Sequence, residues 1–439
     1  MTVRELTLSL LCDYEMNGKY VNLLLSSHRA DRLSADDRRF LTVLLYTTVE
    51  RKITYDYLIG AISNRSTDDM DITTLNILRM GMCQILHISS VPDHAAVNET
   101  VALGRNKGEK SFINGVLRSA VRLRDEGKLP MPQREKKVTR YLSVAYSFPL
   151  WLVKHFVSLY GEADTEKLLA RFNEARYTDL TVNLTKTNKR GLISLLKEQG
   201  LEPTSYIDSE LSIRLDGCSV DPRGISGFGD GLFFVQDAAC AVSIEALGVK
   251  DGDTVVDVCA CPGGKSFAAA ILTRTGTVYS FDIHESKLSL IEDGAKRLGL
   301  DNVRAGVRDA EKPSEQLFGK CDKVICDVPC SGLGVLGKKP DIRYRDNQSL
   351  QSLPELQYNI LSASAEYLKD DGTVVYSTCT LNPAENEEVV KKFISDHPDF
   401  SLVDFSVGEL NSVGGMLTLI PHVHGTDGFF IAKIRKGKI

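Results

Sequence analysis

Apolar residues recur at helical spacing through roughly the first 130 positions. Phe40, Leu41, Leu44, Leu45 and Val49 fall at i, i+1, i+4, i+5 and i+9, and Ile72, Leu75, Leu78, Met82 and Ile85 repeat the pattern over 72–86. Val91-Pro92-Asp93 ends that segment and sets Asp93 up as the cap of a helix over 94–103. A further helix is predicted over 111–126, with Gly127 as its C′ glycine. A compact helical bundle follows from this pattern. Leu129-Pro130-Met131-Pro132-Gln133 interrupts it, and the basic run Arg134, Lys136, Lys137 and Arg140 comes next, as a solvated face or a nucleic-acid contact.

The period then shortens. Helices are expected over 151–160 and 165–173, an alternating strand over 180–184, a helix over 188–199 closed by Gly200, and strands over 211–215 and 232–235. This is a small α+β unit. From Gln236 onward strand and helix alternate in the doubly wound manner: strands over 255–258, 277–281, 303–307, 323–326 and 373–376, helices over 266–272, 285–298 and 354–368, and a final strand over 429–434. The chain therefore reads as three parts: an all-α bundle over 1–130, a linker with the α+β domain over 131–235, and an α/β domain over 236–439.

The α/β part is organised around Asp257-Val258-Cys259-Ala260-Cys261-Pro262-Gly263-Gly264-Lys265-Ser266, a strand end, a glycine turn and a helix start. Such a junction exposes backbone N–H groups at the carboxyl edge of a sheet. A P-loop would need glycine where Cys259 stands, and no Gly-x-Gly-x-x-Gly is present. The next strand ends in Asp282, at the place where an acid accepts from ribose hydroxyls. A nucleoside ligand without a phosphate loop points to S-adenosylmethionine, with Asp282 at the ribose and Asp309, after the third strand, at the adenine amine.

Composition narrows the class. Among 439 residues, 53 Lys and Arg against 58 Asp and Glu leave a net charge of −5, so any nucleic-acid contact must come from local patches. Ten cysteines make no disulfide scaffold, and no apolar run reaches the length of a membrane span. A cytoplasmic protein without membrane or metal is expected: no Cys-x-x-Cys pair occurs, and His422 and His424 are read as surface loop residues.

Two cysteines stand apart from Cys259, Cys321 and Cys326, which read as buried small hydrophobes. Cys330 follows Asp327-Val328-Pro329 just past a strand, and Cys379 occupies the matching place one strand on. A thiolate beside a methyl donor suits pyrimidine chemistry. Carbon 5 of a pyrimidine is a poor nucleophile until a thiolate adds to carbon 6, after which it takes a methyl group and a base removes its proton. A free thiol, with a pKa of about 8.5, is only slightly ionised at neutral pH, so the site must activate it. Asp327 is placed to hydrogen-bond the base. Chemistry alone leaves open which cysteine attacks.

Asp257–Ser266, Asp327-Val-Pro-Cys330-Ser-Gly, Lys339-Pro-Asp-Ile-Arg343 and Ser377-Thr-Cys379-Thr resemble the motifs of RNA cytosine-5 methyltransferases, together with Val235-Gln236-Asp237 and Gly428–Lys433. Val91–Glu99 and Phe112–Arg118 resemble the NusB-like RNA-binding domain. The combination is similar to the bacterial 16S rRNA (cytosine-5)-methyltransferase B family. That resemblance implies a NusB-like bundle, a Rossmann-like methyltransferase domain, 16S ribosomal RNA as substrate and a monomer. Carried over by position, it implies Cys379 as nucleophile and Cys330 in product release. Cofactor contacts then fall at Cys259, Ala260, Cys261, Pro262, Gly263, Gly264, Lys265, Asp282, Asp309 and Asp327. Cys261 and Val328 depart from the alanines expected there. The cationic loop Lys338–Arg345 is expected to touch phosphate. Transfer RNA or DNA as substrate, and an inactive RNA-binding or transcription-regulating module, are the alternatives.

Overall fold

The computed structural model describes residues 1–439 except 19, 26–32, 175–176, 206, 217–220, 346–349 and 438–439. The chain divides into two compact units: Met1–Asn173 with Lys339–Arg345, and Glu174–Lys338 with Asp346–Ile439.

The first unit is helical. Thr2 opens helix Val3–Asn17 with a reciprocal capping box to Glu5, and Ser34 and Asp71 cap helices Ala35–Glu50 and Ile72–His87. The amphipathic spacing in Ile72–His87 understates its surroundings. Thr74 to Ile85 are all buried, Asn76, Arg79 and Gln84 included. A helix enclosed on all sides must neutralise its charge. Arg79 does so through two hydrogen bonds to Asp56, 2.6 and 2.8 Å, and one of 2.9 Å to Glu15.

Asp93 does not cap its helix. Pro92 occupies the cap position, and the Asp93 carboxylate takes two bonds of 2.8 and 2.7 Å from Arg124. Helix Lys107–Asp125 ends with Gly127 at φ +64°, as its C′ position requires. Gly161, at φ +75°, breaks Leu150–Phe172 into the two helices expected there. In the basic run, Arg134 is paired with Glu166 at 2.7 Å, while Lys136, Lys137 and Arg140 are exposed.

The second unit holds two main sheets. Strands β1 (Thr178–Val182), β2 (Pro203–Thr204), β3 (Ser212–Leu215) and β4 (Phe233–Val235) form an antiparallel sheet in the order β2-β3-β1-β4, backed by helix Lys189–Glu198 through Leu192 and Leu196. The larger sheet begins with β5 (Thr254–Asp257), β6 (Thr277–Asp282), β7 (Val303–Val307), β8 (Cys321–Asp327) and β9 (Leu368–Thr378), all mutually parallel. Strands β10 (Phe400–Leu402), β11 (Ser406–Val407), β12 (Leu410–Asn411), β13 (Met416–Leu419) and β14 (Phe429–Lys436) follow, with β11 and β12 paired only to each other. Order β10-β14-β9-β8-β5-β6-β7 runs across the sheet, and β14 is antiparallel to β9. Val255, Val256, Val324, Ile325, Val374 and Val375 are buried at its centre, as β-branched runs in a sheet covered on both faces require.

Strand order reverses between β5 and β8. In open α/β sheets that reversal opens a crevice at the carboxyl ends of the strands, where ligands bind. Among the described residues no single helix is long and apolar enough to cross a membrane.

Candidate active site

The crevice between β5 and β8 is bordered by the Pro-Gly-Gly turn and by Asp327. Asp257 closes β5 fully buried and accepts from the Ser266 hydroxyl at 2.7 Å, and burial pushes its carboxyl up to about 7. The turn is tied to β6 by Ala260 N–H to Phe281 O at 2.8 Å and closes on itself through Gly263 N–H to Ala260 O at 2.7 Å. Glycine is required at the first of the turn's two glycine positions, and a side chain at the second would have to displace Gln236. Gly263 has φ +112°, and a Cβ there would lie 2.4 Å from the Phe267 ring; a Cβ on Gly264 would lie 2.8 Å from Gln236 Nε2.

Lys265, first turn of helix Gly264–Thr273, reaches across the switch point. Its Nζ lies 2.7 Å from Asp327 Oδ2, 3.3 Å from Cys240 Sγ and 5.2 Å from the centre of the Phe429 ring. Asp327 uses its other oxygen to accept from Ser377 Oγ at 2.7 Å. Asp282 borders the turn, accepting from Cys261 N–H at 3.2 Å and His284 N–H at 2.9 Å, and the exposed Ile283 and Val307 stand beside it. Asp309 is held within its own turn by Glu311 N–H at 3.1 Å and Lys312 at 2.9 Å.

The two cysteines meet. Cys330 Sγ lies 3.3 Å from Cys379 Sγ. Their turns are joined by the Ser331 and Thr380 hydroxyls, 2.7 Å apart, and by Gly334 N–H to Cys379 O at 2.9 Å. A hydrogen bond to Cys379 and burial raise the Cys330 thiol well above its ordinary range.

Sequence profiles match this architecture part by part. The profile described as 16S rRNA methyltransferase RsmB/F matches residues 244–435, that of the NusB family residues 1–122, and that of the ferredoxin-like domain of RsmF/B-like methyltransferases residues 148–221. The probable ribosomal RNA small subunit methyltransferase B of Synechocystis is 36% identical over 99% of this chain and 100% of its own length. The protein of the same name from Bacillus subtilis is 35% identical over 99% of both chains. The chain belongs to the ribosomal RNA small subunit methyltransferase B family. That family is one of S-adenosylmethionine-dependent RNA methyltransferases. Among solved structures, PH0851 superposes with a TM-score of 0.79 at 25% identity over 99% of both chains. A methyltransferase homologue from Pyrococcus horikoshii gives 0.61 at 27% identity, over 68% of this chain and 99% of that one.

Within this family member Lys265 meets Asp327 and Cys330 meets Cys379, two pairs at the carboxyl ends of neighbouring strands, while Asp282 and Asp309 stand at the ends of strands on the other side of β5. The cationic loop differs from expectation. Lys338 lies between Asp237 and Asp427, 2.9 Å from the latter, and over the Tyr177 ring. Arg343 has no exposed surface, lies over Phe148 and bonds Glu50 and the Phe172 carbonyl, each at 3.4 Å. Arg343 completes a buried charge set and the half-buried Lys338 is engaged by two acids, so neither is free to meet phosphate; Lys339 is exposed. His422 and His424 lie in a short helix, Pro421–His424, and His424 Nδ1 accepts from Ile420 N–H at 2.8 Å.

A buried polar set behind the cysteines escaped the sequence reading. Glu385 accepts from Ser331 N–H at 2.8 Å, Gln357 Nε2 at 3.0 Å and Asn382 Nδ2 at 2.9 Å. Asn386 accepts from the Thr378 hydroxyl at 2.6 Å and donates to Thr380 O at 3.0 Å. The available signal was the cluster Asn382-Pro383-Ala384-Glu385-Asn386 directly after the Thr-Cys-Thr segment. Among the described residues no His, Cys, Asp and Glu group suited to a metal occurs.

Proposed function

We propose that this chain uses S-adenosylmethionine to methylate carbon 5 of a cytosine in 16S ribosomal RNA, through a covalent bond between Cys379 and carbon 6. The pair of thiols 3.3 Å apart beside the switch-point crevice carries this reading. A lone activated cysteine would serve many reactions; two adjacent ones suit formation and later release of an adduct on the same ring.

The cofactor fits the residues present. The turn leaves no room for a Cβ at Gly263, Asp282 keeps lone pairs beyond its two backbone bonds for ribose hydroxyls, and Ile283 and Val307 form an apolar ledge for adenine. Residues Cys259–Lys265, Asp282, Asp309 and Asp327 are the proposed contacts. When bound, S-adenosylmethionine supplies an electrophilic methyl group.

The chain's own residues do the rest. Cys330, held protonated by burial and by its neighbour, donates toward Cys379 Sγ and steadies the thiolate there. Cys379 Sγ bonds carbon 6 and the electron pair moves to carbon 5, which would then take the methyl group that a cofactor held by the Pro-Gly-Gly turn supplies, the donor sulfur being the leaving group. Asp327, oriented by Lys265 and Ser377, accepts a hydrogen bond from the cytosine amine. A base takes the carbon-5 proton, the electron pair of that bond forms the carbon 5–carbon 6 double bond, and the carbon–sulfur bond breaks to return Cys379 as a thiolate, with Cys330 assisting release. Residues 1–130 and 131–235 supply RNA docking in this reading, and 236–439 the chemistry.

Trapping tests it. Wild type, Cys379→Ala and Cys330→Ala are incubated with methyl-labelled cofactor and undermodified small-subunit RNA, then run under denaturing conditions. Cys379→Ala is expected to give neither adduct nor product, and Cys330→Ala to accumulate a covalent RNA complex. The reverse pattern, or label on an atom other than cytosine carbon 5, overturns the reading.

A further inference from the structure

The two thiols share one contact, yet only one of them can be the nucleophile, and the surrounding polar set is not symmetric about them. Glu385 has no exposed surface. Its Oε2 accepts from Ser331 N–H and Gln357 Nε2, its Oε1 from Asn382 Nδ2. Gln357 Nε2 also donates to Pro329 O at 2.9 Å, so the residues before and after Cys330 are both anchored to the Glu385–Gln357 pair. All the donors are N–H groups, a set that the acceptor-only carboxylate form satisfies with no proton of its own to place. Among the described residues no lysine or arginine pairs with it.

The other groups facing Cys330 offer no comparable charge. Cys379 lies across the 3.3 Å contact. Tyr376 donates its hydroxyl to Glu385 O at 2.6 Å, and burial keeps that phenol neutral. Asp327 is matched by Lys265 at 2.7 Å. The buried Glu385 carboxylate accepts from the N–H of Ser331, the residue after Cys330, and disfavours a second anion on the Cys330 sulfur, whereas the residues before and after Cys379 are held by the neutral amide of Asn386.

We propose that Glu385 is a positioning residue that sets the order of the two thiols: its carboxylate fixes the turn carrying Cys330 and keeps that group as S–H, so that the thiolate resides on Cys379. The proposal rests on the reading of Cys379 as nucleophile and explains why the enzyme would use that sulfur and not its neighbour. Cys379 and burial account for most of the rise at Cys330; Glu385 adds to it in the direction required, and the Gly332 N–H opposes it.

Differential alkylation tests the order without RNA. Initial rates of iodoacetamide labelling at Cys330 and Cys379 are read by peptide mass spectrometry on the full chain from pH 6 to 10. In wild type Cys379 is expected to react at least about tenfold faster than Cys330 at neutral pH, the difference that one unit of acidity makes. Glu385→Gln is expected to raise the Cys330 rate several-fold and to move its pH profile down, with fold checked by thermal melting and cofactor binding. A purely structural role would change accessibility of both thiols without moving either pH profile. An unchanged Cys330 profile in folded Glu385→Gln overturns the proposal. Glu385→Asp keeps the charge and covers a misfolded amide variant: a slow Cys330 there supports the charge effect, and a Cys330 as fast as Cys379 refutes it. The nucleophile itself is tested separately. If Cys379→Ala still methylates RNA while alkylation follows the expected order, the catalytic reading fails and the thiol order stands.

Discussion

Ser331 and Thr380, each one residue beyond a cysteine, share a 2.7 Å hydrogen bond between fully buried hydroxyls. It ties the turn after β8 to the turn after β9 at the point where the thiols meet. Thr380→Val leaves the Ser331 hydroxyl without this partner, at a cost of about 1–3 kcal/mol in unfolding free energy. Adding Ser331→Ala removes the stranded group, so the double variant should recover part of that loss. A double-mutant cycle from urea unfolding checks the coupling, expected at about 1 kcal/mol. RNA methylation should fall in Thr380→Val while cofactor affinity holds, because the Pro-Gly-Gly turn lies on the other side of β8.

Gly263→Ala should separate the cofactor turn from the thiols. At φ +112°, with the Phe267 ring 2.4 Å from the added Cβ, the substitution cannot be accommodated without moving the turn. Backbone strain of this kind costs about 1–3 kcal/mol. Calorimetric titration with S-adenosylmethionine should show at least tenfold weaker binding, while Cys379 alkylation stays near the wild-type rate. Unchanged cofactor affinity would mean that the turn does not hold the ligand.

Much of this was legible along the chain, for a physical reason. Of the five parallel strands, β5, β6 and β8 end in Asp257, Asp282 and Asp327, and Asp309 and Cys379 follow β7 and β9 within two residues, so the local signal marks the carboxyl edge of the sheet. What local pattern could not supply was the destination of charges whose partners lie far off in sequence. Arg343 finds Glu50, 293 positions away, and Lys338 finds Asp237, 101 positions away, so a cationic loop became two ion sets. Arg79 enters a helix core for the same reason, its charge met by Asp56 and Glu15. Glu385 reads as one more acid near a helix start until its three N–H donors converge on it.

Asp257 should make stability fall with rising pH. Burial lifts its carboxyl to about 7 in the folded chain, against about 3.9 in an unfolded one. The folded state therefore holds a proton that the unfolded state has lost. The stabilisation is complete below pH about 4 and disappears as pH rises through about 7, at most about 1.4 kcal/mol per pH unit. Asp257→Asn cannot titrate. The difference in urea unfolding free energy between wild type and Asp257→Asn should thus shrink, or change sign, between pH 5 and 8. A difference independent of pH would place the proton elsewhere.

Lys338 offers the complementary case, in which a cation is removed from between two acids. Its Nζ lies 2.9 Å from Asp427 Oδ2 and also bonds Asp237 Oδ2, and burial with the neighbouring Asp237 holds the Asp427 carboxyl well above the usual range. Asp237 meanwhile caps helix Ala238–Leu247 through Ala239 N–H at 2.9 Å, so it cannot swing away without cost. In Lys338→Met the two carboxylates face each other without the ammonium, and one of them must keep a proton for the pair to remain buried. Loss of one partner from a buried ion set costs about 3 kcal/mol. Because the proton is bound more tightly folded than unfolded, the variant should lose further stability as pH rises through the raised Asp427 value. Urea unfolding at pH 5 and 8 measures this, with the larger deficit expected at pH 8. Gly428, next to Asp427, donates to Gly334 O, and Gly334 donates to Cys379 O, each at 2.9 Å. Loosening at Lys338 should therefore reach the thiols, and RNA methylation at pH 8 should drop more than at pH 6.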